Sequence, residues 1–380
     1  MPLLDLSHTS HTRAQTGIQR VCRALQRELG PAATPITWDP YADCWRPLDA
    51  WEEANLAATA PAAKRGSVWP LAARWRGRLR RLRGAGSLPP ADDGLIVPEL
   101  FSPAVAAALP RLVGRGPRVA LFHDAIALRL PELSPPKTVA RFPAYLQELR
   151  AFDGVAAVSE DSKQTLLDYW HWLGWTQVPA VAAIPLGLDL PPTAPGPAPG
   201  GTPVVLSVGS IEGRKNHLAL LEAAEQLWQG GRQFSLHLVG LAQRETGRSG
   251  LERIAALQAA GRPLRYSGAV DGDALEAAYA ACTFTVYPSL MEGFGLPVFE
   301  SLGRHRPCIC SRRGALGEAA RGGGVHALDE VTSAALAAAI GGLLDQPDQL
   351  ARLTAEARAR PLRRWADYVR DLRAWMATLG

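Results

Sequence analysis

The stretch Tyr287-Pro-Ser-Leu-Met-Glu-Gly-Phe-Gly-Leu-Pro-Val-Phe-Glu300 opens at the end of the apolar run Phe284–Tyr287 and closes inside a helical window. A strand handing over to a helix through a glycine-bearing loop is the unit of doubly wound α/β folds, in which ligands sit where strands end. Gly293 and Gly295 carry no side chain, so a ligand can approach the backbone there. Pro297 suits a first helical turn, and the N–H groups of that turn favour an anion. Glu292 and Glu300 stand eight positions apart, one before the glycines and one inside the helix. Both are placed to accept charge-assisted hydrogen bonds from hydroxyls.

Working outward, the same strand–loop–helix pattern recurs through the chain. The first half predicts strands at Leu3–Leu6, Ala33–Trp38, Leu95–Pro98, Arg118–Phe122, Val155–Val158 and Val181–Leu186. The second half predicts Val204–Val208, Ser235–Val239, Leu264–Ser267, Phe284–Tyr287 and Cys308–Ser311, with helices such as Leu218–Trp228 and Ala274–Ala281 between them. Apolar runs without strict alternation suit strands buried on both faces of a parallel sheet. At 380 residues the chain exceeds the roughly 250–300 that one core supports. The boundary falls at 191–203, PPTAPGPAPGGTP, whose six prolines exclude helix and central strand. The expected units are 1–190, the linker 191–203, 204–360, and a terminal helix in 361–380 carrying an apolar stripe from Trp365 to Trp375.

A second loop, Val208-Gly-Ser-Ile-Glu-Gly-Arg-Lys-Asn216, follows the strand Val204–Val208. Arg214 and Lys215 suit a diphosphate, the first as a two-pronged donor and the second as a point charge. The spacing fits neither a Walker loop nor a dinucleotide fingerprint.

Together these two stretches resemble the nucleotide-sugar glycosyltransferases of family 4, which have the GT-B fold. The resemblance covers the second half and reaches into the first at Thr16-Gly17-Ile18, His123-Asp124 and Val158-Ser159-Glu160. It implies an α/β fold of two Rossmann-like, doubly wound domains facing a cleft, with the C-terminal helix crossing back to the first. It implies a retaining, metal-independent transferase of bacterial surface-glycan assembly, similar to mannosyltransferases, without a cofactor. The donor would be a nucleotide diphosphate sugar, GDP-mannose favoured, and the acceptor a glycan or lipid-linked glycan. Glu300 would bind the ribose, and Glu292 the donor sugar beside the amides of Gly293, Phe294, Gly295 and Leu296. Lys215 and Arg214 would hold the diphosphate, and backbone near Val270 the base. Gly17 would let the first helix approach the donor, His123 would face the reacting sugar, and Asp124 and Ser159 would be nearby polar contacts. Many relatives have arginine where this chain has Ser210, which shifts the phosphate grip onto Arg214 and Lys215. A sugar epimerase of the same fold, or a non-catalytic glycan- or nucleic-acid-binding relative, stays open.

The net charge of +5 is unevenly spread. Residues 64–83 hold eight basic side chains and no acidic one, so the +5 total less this +8 leaves −3 for the rest. That excludes a generally basic nucleic-acid surface. Tryptophans and arginines interleaved at helical spacing, Trp69, Trp75, Arg76, Arg80 and Arg81 among them, point to an amphipathic helix on an anionic membrane. The five scattered cysteines have no zinc or redox spacing, His8 and His11 lack further ligands for a metal, and no apolar run reaches the length of a span. A cytoplasmic enzyme held peripherally at the membrane's inner face is the expected setting.

Overall fold

In the computed structural model the structure describes residues 1–58, 68–83, 88, 90–100, 102–191, 196 and 200–379. Two compact units account for the chain. The first comprises Met1–Asp124, Arg141–Gly187 and Trp365–Gly380; the second comprises Ala125–Ala140 and Leu188–Arg364.

The first unit holds β1 (Leu3–Asp5), β2 (Thr34–Asp39), β3 (Cys44–Pro47), β4 (Leu95–Val97), β5 (Arg118–Phe122), β6 (Gly154–Ala157) and β7 (Ala180–Ala183). They form one sheet in the order β3-β2-β1-β4-β5-β6-β7, parallel except for the antiparallel β2–β3 hairpin. Chain direction across the sheet reverses between β1 and β4, so the loops after those two strands flank its switch point. The helix Trp365–Met376 packs against Gly17–Leu29 in this unit. Its end lies close to the start of β6: a methyl on Gly154 would stand 2.7 Å from the Trp375 ring. The terminal helix thus covers the end of the sheet opposite the switch-point loops.

The second unit holds β8 (Val204–Val208), β9 (Ser235–Val239), β10 (Leu264–Tyr266), β11 (Phe284–Tyr287), β12 (Cys308–Ser311) and β13 (Val325–Leu328). Their order is β10-β9-β8-β11-β12-β13, all parallel, with the switch point between β8 and β11. Consecutive residues feed opposite cores, as the expected double winding requires. Val205, Phe284, Val286 and Ile309 pack with Leu220, Leu227, Leu336 and Ile340 on one face. Tyr287, Cys308 and Cys310 pack with Val298 and Leu302 on the other, and Leu206 with Tyr279 and Cys282.

Two expectations change in detail. β3 and β13 were absent from the predicted strands. Residues 125–140, placed by sequence in the first domain, belong to the second unit, where Leu133 lies against Gly213. Most of the linker, at 192–195 and 197–199, and the basic residues Lys64 and Arg65 lie outside the described residues. Among the described residues no helix is long and apolar enough to cross a membrane.

Candidate active site

In the second unit, the loops after β8 and β11 bring Arg214, Lys215 and Glu292 together. Lys215 Nζ donates to Glu292 Oε1 at 2.6 Å and to the Tyr287 hydroxyl, and Arg214 Nη1 donates to the same Glu292 oxygen at 3.0 Å. Arg214 also pairs with Glu212 at 2.8 Å. Burial alone would raise the Glu292 pKa, but Lys215 and Arg214 outweigh it and hold the carboxyl at about 2. Burial pushes the Lys215 ammonium down, and Glu292 pulls it back. The pair is therefore ionised, with Lys215 also over the Tyr287 ring.

Backbone geometry holds this cluster in place. Gly240 sits at φ +149°, and a methyl there would lie 2.0 Å from the Gly209 carbonyl oxygen, so the loops after β8 and β9 meet only through glycine. Gly209 and Ile211 donate backward to Val239 and Leu241, and Ser210 stands half-buried between them. Gly295 has φ +93° and precedes the helix Leu296–Gly303, with Pro297 in its first turn. Among the described residues the amides of Phe294 and Gly295 donate to no protein acceptor. They are the orphan donors of a helix start. The Phe294 ring stacks on Phe299 at 4.8 Å. Glu300, in the second turn, is 4% exposed and accepts from the Tyr279 hydroxyl at 3.2 Å. Val270 lies in the loop before helix Gly272–Ala281, its side chain packed on the cluster of Val239 and Tyr279.

The switch point of the first unit has a different character. Gly17 opens the helix Gly17–Leu29, and among the described residues nothing beyond its chain neighbours and its own helix backbone lies within 4 Å of where a side chain would start. His8, in the loop after β1, faces Glu99, after β4, at 3.5 Å. Glu99 is buried; burial raises its pKa, but His8 and the Thr9 amide overcome that and keep it low. Asp5, fully buried at the end of β1, is pushed up to about 7 by burial, against the lowering effect of Ser7. His123 is half-buried, with Nε2 donating to the Pro98 carbonyl at 2.8 Å, so Nδ1 holds the lone pair. Its pKa is lowered by burial, which keeps the ring neutral. Asp124 follows it, also half-buried.

Two polar side chains of this unit have structural roles. The Ser159 hydroxyl accepts the Ser162 amide at 3.1 Å and caps the helix Glu160–Trp172. His11 is buried, bonded to Glu52 at 2.8 Å and packed on Trp51 and Trp69, which makes it a core residue. Sequence reasoning assigned no role to Tyr279, Tyr287 or Glu99. Tyr287 stood in the quoted motif as the last residue of a strand, a signal that it reaches the loop.

Residues 194–360 match the family model described as glycosyl transferases group 1. The chain is 27% identical over 329 residues to a serotype-specific mannosyltransferase, WbdA, of Escherichia coli, covering 81% of this chain. It spans 38% of that relative's length. An O-antigen chain mannosyltransferase B of E. coli is 36% identical over 112 residues, 28% of each chain. Among solved structures, a sucrose-phosphate synthase from Thermosynechococcus elongatus superposes with a TM-score of 0.70 at 18% identity, covering 100% of this chain and 99% of that one. The Anabaena HepE structure with UDP and glucose gives 0.68 at 16% identity over 100% of both chains. These neighbours share the GT-B fold. The match to the glycosyl transferases group 1 model thus lies within the second unit, and the likeness to the GT-B structures extends over the whole chain.

Proposed function

We propose that the protein transfers a mannosyl group from GDP-mannose to a hydroxyl of a lipid-linked glycan, with retention of configuration and without a metal cofactor. The observation that carries this is the convergence of Arg214, Lys215 and Glu292 at the switch point of the second sheet. The mannosyltransferase relatives support the sugar.

On this reading the diphosphate competes with Glu292 for Arg214 and Lys215. The displaced carboxylate is then available to the sugar hydroxyls, beside the Phe294 and Gly295 amides. Glu300, backed by Tyr279, accepts from the ribose. The acceptor oxygen bonds to the anomeric carbon as the bond from that carbon to the β-phosphate oxygen breaks. The acceptor's proton passes to the departing phosphate on the same face, and nucleoside diphosphate leaves. Positive charge fixed at Lys215 and Arg214 stabilises the negative charge that grows on the phosphate, the role a metal would otherwise fill. Neutral His123 offers a hydrogen-bond acceptor at Nδ1.

A thermal-shift panel of GDP, UDP and their sugars tests the reading, because a ligand bound only by the folded state raises Tm. GDP-mannose should give the largest shift, undiminished by EDTA. A panel in which no nucleotide shifts Tm would overturn the donor site, and a larger shift with a UDP-sugar would overturn the choice of base.

A further inference from the structure

We infer that the helix Leu71–Arg83 docks the protein flat on an anionic lipid surface through an outward apolar stripe of Leu71, Trp75, Leu79 and Leu82, edged on both sides by arginines. This deepens the proposal of a lipid-linked acceptor, but it rests on the helix's own geometry and not on the donor site.

The helix has two opposed faces. Its inner face is Ala73, Gly77 and Arg80, at i, i+4 and i+7. Gly77 lies so close to the hairpin of β2 and β3 that a methyl would stand 2.7 Å from Tyr41 Cβ and 3.0 Å from Asp39 Oδ1. Arg80 donates to both Asp49 oxygens, at 2.7 and 3.1 Å. Asp49 in turn caps the helix Ala50–Leu56, whose Glu52 binds Arg46 at 2.7 and 2.9 Å; Arg46 also reaches Asp39. A buried ionic network therefore fixes which face of the helix points inward.

The outer face follows from that. Leu71, Trp75, Leu79 and Leu82 fall at i, i+4, i+8 and i+11, directly opposite the inner face. Trp75 is 63% and Leu82 84% exposed, and Val68, just before the helix, is exposed with them. Arg74, Arg78 and Arg81 line one flank; Arg76 and Arg83 line the other. Among the described residues Arg76, Arg81 and Arg83 make no ion pair. An apolar strip between two rows of unneutralised guanidiniums matches the layering of acyl chain and phosphate at an anionic leaflet. A protein partner would meet five positive charges around one hydrophobic strip and would need matching acids.

The sequence reading of this segment is corrected in two residues. Trp69 precedes the helix and turns inward, its ring 4.2 Å from His11 and 5.4 Å from Trp51. Arg80 is an anchor to the body. Neither belongs to the lipid face.

The test is co-sedimentation of the full chain with vesicles of phosphatidylcholine, alone or mixed with phosphatidylglycerol. Wild type should bind the mixed vesicles and not the neutral ones. Trp75→Ala/Leu79→Ser/Leu82→Ser should lower partition more than tenfold, and Arg76→Ala/Arg81→Ala/Arg83→Ala roughly a hundredfold. The Tm shift by nucleotide should be unchanged in both, which separates this surface from the donor site. Equal binding by wild type and both variants would overturn the inference. So would a solution dimer that the Trp75 variant dissociates, without any vesicle binding, since the stripe would then cover a second copy of the chain.

Discussion

The two sheets share a winding plan, yet their switch points are built from opposite chemistry. After β8 and β11, two cations share one carboxylate oxygen, and orphan amides stand at a helix start. At the ends of β1 and β4, buried Glu99 faces His8, and burial drives Asp5 toward its neutral form. The first arrangement is suited to a strongly anionic ligand. The second repels anions and suits a ligand rich in neutral hydroxyls. In a donor-plus-acceptor enzyme these are the requirements of a nucleotide diphosphate and of a glycan.

The most severe way to break the contrast is Lys215→Ala. Losing the buried ammonium should cut turnover by about three orders of magnitude, the scale of removing one electrostatic group from a charge-developing step. The fold should survive, checked by an unchanged circular dichroism spectrum. Turnover within tenfold of wild type would remove Lys215 from the chemistry.

Glu292→Gln separates the two roles given to one carboxylate. Wild type spends Glu292 on neutralising Lys215 and Arg214. Gln withdraws that neutralising charge from both cations, leaving Arg214 paired only with Glu212, so free GDP should bind about tenfold more tightly by calorimetry, while turnover falls about a hundredfold because the sugar loses an ionised acceptor. If GDP binding weakens as well, Glu292 is not the internal competitor of the diphosphate.

How far this contrast was legible in the sequence depends on where the information lies. Strands buried on both faces announce themselves as apolar runs, and Arg118–Phe122, Val204–Val208, Ser235–Val239, Phe284–Tyr287 and Cys308–Ser311 lie where the runs place them. Cys44–Pro47 does not, because it is four residues long, ends in proline and owes its conformation to pairing with Thr34–Asp39. Val325–Leu328 follows three glycines and lies half-buried on a sheet edge. At the donor loops the charged residues were visible because strand, glycine and charge adjoin in the chain. Tyr279 behind Glu300 and Glu99 behind His8 were not, since those partners come from neighbouring elements far along the chain. Composition also cannot tell Arg80, which grips Asp49, from Arg81 one position on, which makes no ion pair among the described residues.

At the first switch point, Glu99→Gln should act on the acceptor alone. Glu99 orients His8 through its carboxylate, and the amide weakens that hold. The acceptor KM should rise about tenfold, with GDP affinity and the nucleotide-induced Tm shift unchanged. A weakened donor would show that the two switch points do not divide the work.

The smallest expected effect is thermodynamic, and it tests the buried acid itself. Asp5 titrates at about 7 in the folded chain, raised from 3.8 chiefly by burial. Between those two values the folded protein holds one more proton than the unfolded one, so stability from this group falls as pH rises through the window, and the whole penalty is present above pH 7. Asp5→Asn cannot ionise, and its remaining oxygen can still accept from the Ser7 amide and hydroxyl, as Asp5 Oδ1 does. Its new NH2 group replaces an oxygen that has no hydrogen-bond partner among the described residues, which costs about 1–3 kcal/mol and offsets part of the gain. The net result should be a Tm about 2–4 °C higher than wild type at pH 8, shrinking and then reversing toward pH 4. A difference that stays constant from pH 4 to 8 would mean that Asp5 does not titrate in this range and that burial does not neutralise it.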